Sequence, residues 1–167
     1  QATMFDILGE KALPEAEFLS LCDRMAEDIY GRRVSLAPGL GALLAALKAR
    51  GARVGLASSS PRPWVALVLD RFGLRGEFGA LATGDETPGR TKPEPDLYLL
   101  AASRLGVPPG FCAAVEDSRY GVQAAKRAGM LCVAYRGDEN AAQDLSEAAA
   151  EVRALRDVPA VLERLSW

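Results

Sequence analysis

Histidine is absent from all 167 residues. That excludes Ser-His-Asp triads, histidine zinc sites and imidazole general bases. Any acid–base or metal chemistry has to use carboxylates, hydroxyls, lysine and backbone groups. Cysteine is scarce: Cys22, Cys112 and Cys132 are odd in number and form no Cys-x-x-Cys pair, so no disulfide framework or zinc site is suggested. Cys112 and Cys132 fall in apolar strand-like runs and read as buried, inert thiols. An excess of either charge is missing too. Twenty basic and 22 acidic residues leave a net charge of −2, which gives no reason to propose nucleic acid or an anionic membrane as partner. No apolar run reaches membrane-spanning length, and no charged-then-apolar leader opens the chain. The expectation is a cytoplasmic protein.

What is present is an ordinary globular balance, 49% apolar and 25% charged, in a length suited to one core. From about residue 36, short apolar runs alternate with helical patterns, the signature of βα units and a parallel sheet. Strands are expected at 53–57, 78–82, 111–115 and 131–135, with a short one near 152–155. Helices are expected at 40–50, from Pro61 to Phe72, at 96–105 with Asp96 as cap, at 121–128 and at 159–165. Glycines 51, 73 and 106 stand where helices should end. The alanine-rich stretch 139–151 reads as a surface helix. Pro14 to Tyr30 reads as one amphipathic helix with Phe18, Leu21, Cys22, Met25 and Ile29 on one face.

Three segments carry chemistry. Gly-Leu-Ala-Ser-Ser-Ser-Pro at 55–61 runs a strand into a serine turn at the carboxyl edge of a parallel sheet, where ligands bind in open α/β folds. Hydroxyls and successive N–H groups at a helix start suit a phosphate oxygen, although the same residues make a plain N-cap. Thr-Lys-Pro-Glu-Pro-Asp-Leu-Tyr at 91–98 places Lys92 in a loop stiffened by Pro93 and Pro95. A solvated surface lysine is the plainer reading. Val-Glu-Asp-Ser-Arg-Tyr-Gly-Val at 115–122 ends a strand in two adjacent carboxylates, costly unless a cation binds them. Such oxygens suit Mg²⁺, while an Asp N-cap is the bland alternative. Gly84-x-x-x-x-Gly89-Arg90-Thr91 nearly matches a P-loop, but Arg replaces the lysine and Pro93 and Pro95 obstruct the helix that must follow.

Taken together and in order, these segments resemble the haloacid-dehalogenase-like (HAD) hydrolase superfamily, most closely its beta-phosphoglucomutase and sugar-phosphatase branch. The resemblance covers about residues 36–167. It implies an α/β, Rossmann-like HAD core with a parallel sheet, preceded over residues 1–35 by the end of a helical cap. It implies that Ser58 and Lys92 bind the transferring phosphoryl group, that Asp117 ligates Mg²⁺ directly, and that Glu116 does so directly or through water. Ser118 would orient the acidic pair. Ser59, Ser60 and Arg62 would lie near the cap-facing entrance, Arg62 either on a substrate phosphate or on a solvated helix face. The acidic pair argues against true dehalogenases and for phosphoryl transfer to or from a small phosphorylated metabolite, by a phosphatase or a phosphomutase.

The family's first motif, Asp-x-Asp-Gly-Thr, supplies the nucleophile and the acid–base, and no such string occurs here. Its strand belongs between the strands that end at Ser58 and Glu116, so the sheet should have a gap in its middle. Three accounts stay open. The motif belongs to a segment cut from the N-terminus, and 1–35 are the tail of the cap. Or Phe5-Asp6-Ile7-Leu8-Gly9-Glu10 is a degenerate version, with Asp6 as nucleophile and Leu8 where the acid–base belongs. Or the chain is a non-catalytic binding or scaffold module. On the first account the chain alone is inactive. An open sheet gap favours association, so a homo-oligomer or a separate N-terminal segment is expected to cover it.

Overall fold

A computed structural model describes residues 14–166. Asp6 and Leu8 lie outside the described residues. The elements run α1 (Glu15–Asp28), a π-helical turn (Ile29–Arg33), α2 (Leu40–Ala49), β1 (Gly55–Ser58), α3 (Arg62–Arg71), β2 (Ala80–Thr83), α4 (Asp96–Leu105), β3 (Ala113–Glu116), α5 (Arg119–Arg127), β4 (Leu131–Tyr135), β5 (Ala150–Val152) and α6 (Val158–Arg164). Among the described residues every strand pair is parallel; α3 crosses from β1 to β2 and α5 from β3 to β4, while turns and bends link β4 to β5. Gly51 (φ 71°) and Gly106 (φ 65°) take the left-handed conformation that stops α2 and α4, a geometry that side chains with a Cβ resist.

The sheet is in two pieces. β1 pairs with β2, and β3–β4–β5 form a separate set. Among the described residues, β1 and β3 each keep one edge without a strand partner, and residues of both line the same cavity. Among the described residues no strand stands between them, and residues 1–13 lie outside that description.

Side-chain alternation along β4 builds the core. Cys132 and Ala134 face Val122, Ala124 and Ala125 of α5, while Val133 faces Leu43 of α2 and Val158, Val161 and Leu162 of α6. α4 covers β1 and β2 through Leu97 and Ala101, which pack on Ala57 and Ala82. The result is helices on both faces of a parallel sheet.

Several boundaries depart from the sequence reading. β1 and β2 begin two residues later than expected, because strand pairing starts at Gly55↔Ala80. Phe111 is not in a strand; it sits in a 3₁₀ turn and is 75% exposed. Asp96 does not cap α4. Pro95 holds the N-cap position and the Asp96 carboxylate pairs with Arg90 at 3.0 Å. The expected helix at 139–151 is absent: a 3₁₀ turn (Asp138–Asn140), bends and β5 replace it. Tertiary bonds override alanine's propensity there. Arg136 donates to the carbonyls of Ala141 (3.0 Å) and Gln143 (3.2 Å), and Leu145 is drawn into the core.

α1 is shorter than expected, giving way at Ile29 to the π-turn. Leu21, Met25 and Ile29 of its apolar face are exposed, and Ala26 is buried. The helix meets the rest of the molecule at Trp64, whose indole N–H donates to Asp23 at 2.9 Å and whose ring lies 6.0 Å from that of Tyr30.

Candidate active site

The serine turn forms because β1 ends where α3 must begin. The Ser60 amide donates to Ser58 Oγ at 3.1 Å, folding the turn on itself. That bond uses the hydroxyl as an acceptor and leaves its own O–H to donate. Pro61 then fixes φ at −66° for entry into α3.

Lys92 reaches the end of β3 from the loop before α4. Its ammonium pairs with Glu116 Oε1 and stands 4.9 Å from the centroid of the Tyr98 ring. The Tyr98 hydroxyl donates to the same carboxylate oxygen. The other oxygen, Oε2, accepts from the Asp117 amide and the Ser118 hydroxyl, each at 3.3 Å. Glu116 is therefore a 7% exposed carboxylate wrapped by four donors, which is what a buried charge needs. Gly121 makes this possible, since a Cβ there would overlap the Glu116 carboxylate. Burial, then the Glu116 charge, pushes the Tyr98 hydroxyl far above its usual range, so it stays a donor.

Asp117 is the freer acid. Burial and the neighbouring Glu116 charge raise its pKa, and Lys92 offsets this in part. A carboxylate in that condition gains from a further cation. Ser118, not an aspartate, caps α5, accepting from the Gly121 amide at 3.0 Å. Asn140 donates to the carbonyls of Asp117 (2.7 Å) and Tyr135 (2.8 Å), tying the ends of β3 and β4 together. Among the described residues no three acidic, histidine or cysteine side chains converge as a metal cluster. Mg²⁺ commonly takes only one or two carboxylates, with water and phosphate completing its shell, so the oxygen donors at 116–117 fit it.

Ser58, Ser60, Lys92, Glu116 and Asp117 all line one cavity of about 430 Å³, at the carboxyl ends of β1 and β3. Ser59 and Arg62 do not line it. Ser59 is exposed, and the Arg62 guanidinium is paired with Glu86 at 2.9 Å. The near-P-loop does not feed a helix: turns follow Thr91, and α4 starts at Asp96. Two residues with parts in the site escaped sequence reasoning. Tyr98 closes the string Lys-Pro-x-Pro-Asp-x-Tyr, so a signal existed. Asn140 stands in the stretch misread as helix, where nothing local marks it.

The chain is similar to known proteins in sequence and in fold. The family model of haloacid dehalogenase-like hydrolases matches residues 5–129. The chain belongs to that family. It is 51% identical over 96 residues to the Bacillus subtilis protein YhcW, a match covering 58% of this chain and 43% of that one. It is 40% identical over 116 residues to hexitol phosphatase B of Escherichia coli, covering 65% and 52%. Among solved structures, CbbY from Rhodobacter sphaeroides in complex with phosphate superposes with a TM-score of 0.77 at 31% identity, over 87% of this chain and 66% of that one. The chain spans about half the length of the curated relatives it matches. The parallel α/β architecture is thus the Rossmann-like fold of the HAD family. Among the described residues no helix is long and apolar enough to cross a membrane.

Proposed function

We propose that this HAD chain carries the phosphate and metal half of a Mg²⁺-dependent phosphatase acting on a small phosphorylated metabolite. The observation that carries the reading is the convergence of Ser58, Lys92 and Asp117 on the rim of one cavity between β1 and β3. Ser58 donates its free O–H to a phosphoryl oxygen. Lys92, held by Glu116 and Tyr98, offsets the phosphoryl charge as it redistributes. Asp117 would hold the metal ion. Glu116, already engaged by four donors, sets Lys92 and would add its charge to the metal's site. Bound there, Mg²⁺ would neutralise charge on the phosphoryl oxygens.

On this reading the nucleophile is an aspartate outside this chain, on an apolar strand that would fill the gap between β1 and β3. Its carboxylate forms a bond to phosphorus while the bond to the leaving oxygen breaks. The leaving alkoxide takes a proton from a neighbouring acid, and water then hydrolyses the aspartyl-phosphate.

The test is inorganic phosphate release from a panel of sugar phosphates with Mg²⁺. The 167-residue chain is assayed alone and with an added peptide bearing an apolar run followed by Asp-x-Asp-Gly. The expected result is no turnover alone, and turnover with peptide that Lys92→Ala or Asp117→Asn abolishes. Turnover by the chain alone, lost in Asp6→Asn, would place the nucleophile at Asp6 instead. Inactivity with and without peptide, and no binding of inorganic phosphate, would favour a non-catalytic binding module.

A further inference from the structure

The loop after β2 lies directly against the serine turn. The Gly84 amide donates to the Ser60 carbonyl at 3.0 Å, and a Cβ on Gly84 would overlap the Ser59 carbonyl. Only glycine lets the two backbones come this close. Asp85 supplies what α3 lacks. Pro61 stands at the N-cap of α3 and offers no side-chain acceptor, so the first amide of the helix, that of Arg62, donates across to Asp85 Oδ1 at 3.0 Å.

Glu86 joins three elements. Its Oε2 accepts from the Thr83 amide (3.0 Å) and hydroxyl (2.9 Å) at the end of β2, and pairs with Arg62 Nη2 (2.9 Å) at the start of α3. Arg104 of α4 donates to both carboxylate oxygens, at 2.7 and 3.0 Å, and also to the Leu81 carbonyl of β2. Thr83 is fully buried, so the anchoring end of this network is fixed in the core. Among the described residues the serine turn has no comparable support on its other side, where the edge of β1 meets the cavity.

We propose that Asp85 and Glu86 are positioning residues that hold the Ser58–Ser60 turn in the geometry a phosphoryl oxygen requires. The proposal rests on the reading of Ser58 as a phosphoryl ligand. Asp85 fixes the start of α3 and Glu86 fixes Arg62 beside it, so the turn between β1 and α3 is clamped at its downstream end by a loop that does not line the cavity. Small errors in such placement are costly, because the donors must meet the oxygens without rearranging.

The experiment uses the full chain and inorganic phosphate with Mg²⁺ as the probe. Phosphate affinity is measured by calorimetry, and amide exchange is followed at Ser59, Ser60 and Arg62 and, as a reference, in β3 and β4. The variants are Asp85→Ala, Asp85→Asn, which keeps an oxygen acceptor, and Glu86→Gln. Expected is a loss of about tenfold in phosphate affinity for Asp85→Ala and for Glu86→Gln, the scale of one hydrogen bond. Exchange should quicken at the turn and not in β3 or β4, and Asp85→Asn should recover most of the affinity. If Glu86→Gln fails to fold, the Asp85 pair decides. Unchanged affinity in Asp85→Ala, with phosphate still bound by the parent chain, overturns the proposal and leaves the phosphatase reading standing. So does a loss that Asp85→Asn shares in full or that tracks faster exchange throughout the sheet. If the parent chain binds no phosphate, the reading of Ser58 falls and the proposal falls with it.

Discussion

The two pieces of the sheet are made of similar runs, Gly-Leu-Ala-Ser in β1 and Ala-Ala-Val-Glu in β3, yet they live in different surroundings. In the three-stranded piece, helices cover both faces and Val133 and Ala134 of the middle strand are wholly buried. In the two-stranded piece every residue of β1 is only half-buried, and Leu56 and Ala57 line the cavity. A strand's burial is set by what stands at its edges and faces, not by its own apolar content. The difference reaches the site. Glu116 is anchored from the core outward, by Tyr98 and Lys92. The serine turn is anchored sideways, by the loop at 84–86.

The largest expected effect comes from placing the same charge in each piece. Val133→Asp buries a carboxylate without a partner, which costs several kcal/mol, comparable to a domain's whole net stability. The chain should fail to fold, or lose its cooperative urea transition. Leu56→Asp puts its carboxylate toward the cavity and should cost about 1 kcal/mol or less. Equal losses at the two positions would mean that the cavity between β1 and β3 is packed and dry, and the contrast between the pieces would collapse.

That contrast also explains what could be read from sequence. β4 was legible to the residue, because a short apolar run follows the helix stop at Gly129 and ends at Arg136. α2 and α4 were legible because an apolar face repeats and a glycine stops each one. Ser58, Lys92, Glu116 and Asp117 stand together as the order of their motifs implied. What escaped is what depends on distant partners. Arg62 is turned to Glu86, a residue 24 positions on, and Asn140 bonds to Asp117 across two strands. The segment 139–151 carries helix-forming alanines, but Arg136 ties down its carbonyls and Asn140 binds it to Asp117 and Tyr135, and no local pattern announces that.

A middle-sized effect sharpens the account of Glu116. In Gly121→Ala the new methyl occupies the space of the carboxylate, which must move away from Lys92 and Tyr98 together. The expected cost is about 1–3 kcal/mol, as for other overpacked sites. Tyr98→Phe keeps the ring beneath Lys92 and removes one donor to a charged acceptor, at a cost of roughly 1.5–3 kcal/mol if no water replaces it and less if one does. Urea denaturation of both variants, with Mg²⁺ affinity measured alongside, orders them. The glycine variant should weaken metal binding more, because it displaces both oxygens of Glu116. A larger metal effect from Tyr98→Phe would show that the hydroxyl, and not the space left by Gly121, sets the carboxylate.

The smallest effect concerns pH, and it separates the anchors of the two pieces. Arg104, then Thr83, holds the Glu86 carboxyl well below its ordinary value of 4.5. A carboxyl depressed on folding contributes stability that is complete above its unfolded pKa and fades as pH falls through that value toward the folded one. The parent chain should therefore lose stability below about pH 4.5, and Glu86→Gln should flatten that limb while costing stability at neutral pH. Glu147, in the three-stranded piece, is also depressed, by Gln123 and then Lys126, but Glu147 and Lys126 are exposed. Exposed pairs contribute little, so Glu147→Gln should change the acid slope less than Glu86→Gln does. Urea midpoints at pH 7 and at two or three values below 4.5 are enough to compare them. A steeper change from Glu147→Gln would mean that the loop at 84–86 is held by its backbone contact to Ser60 and not by its ion pairs, and the sideways anchor of the serine turn would then reduce to Gly84.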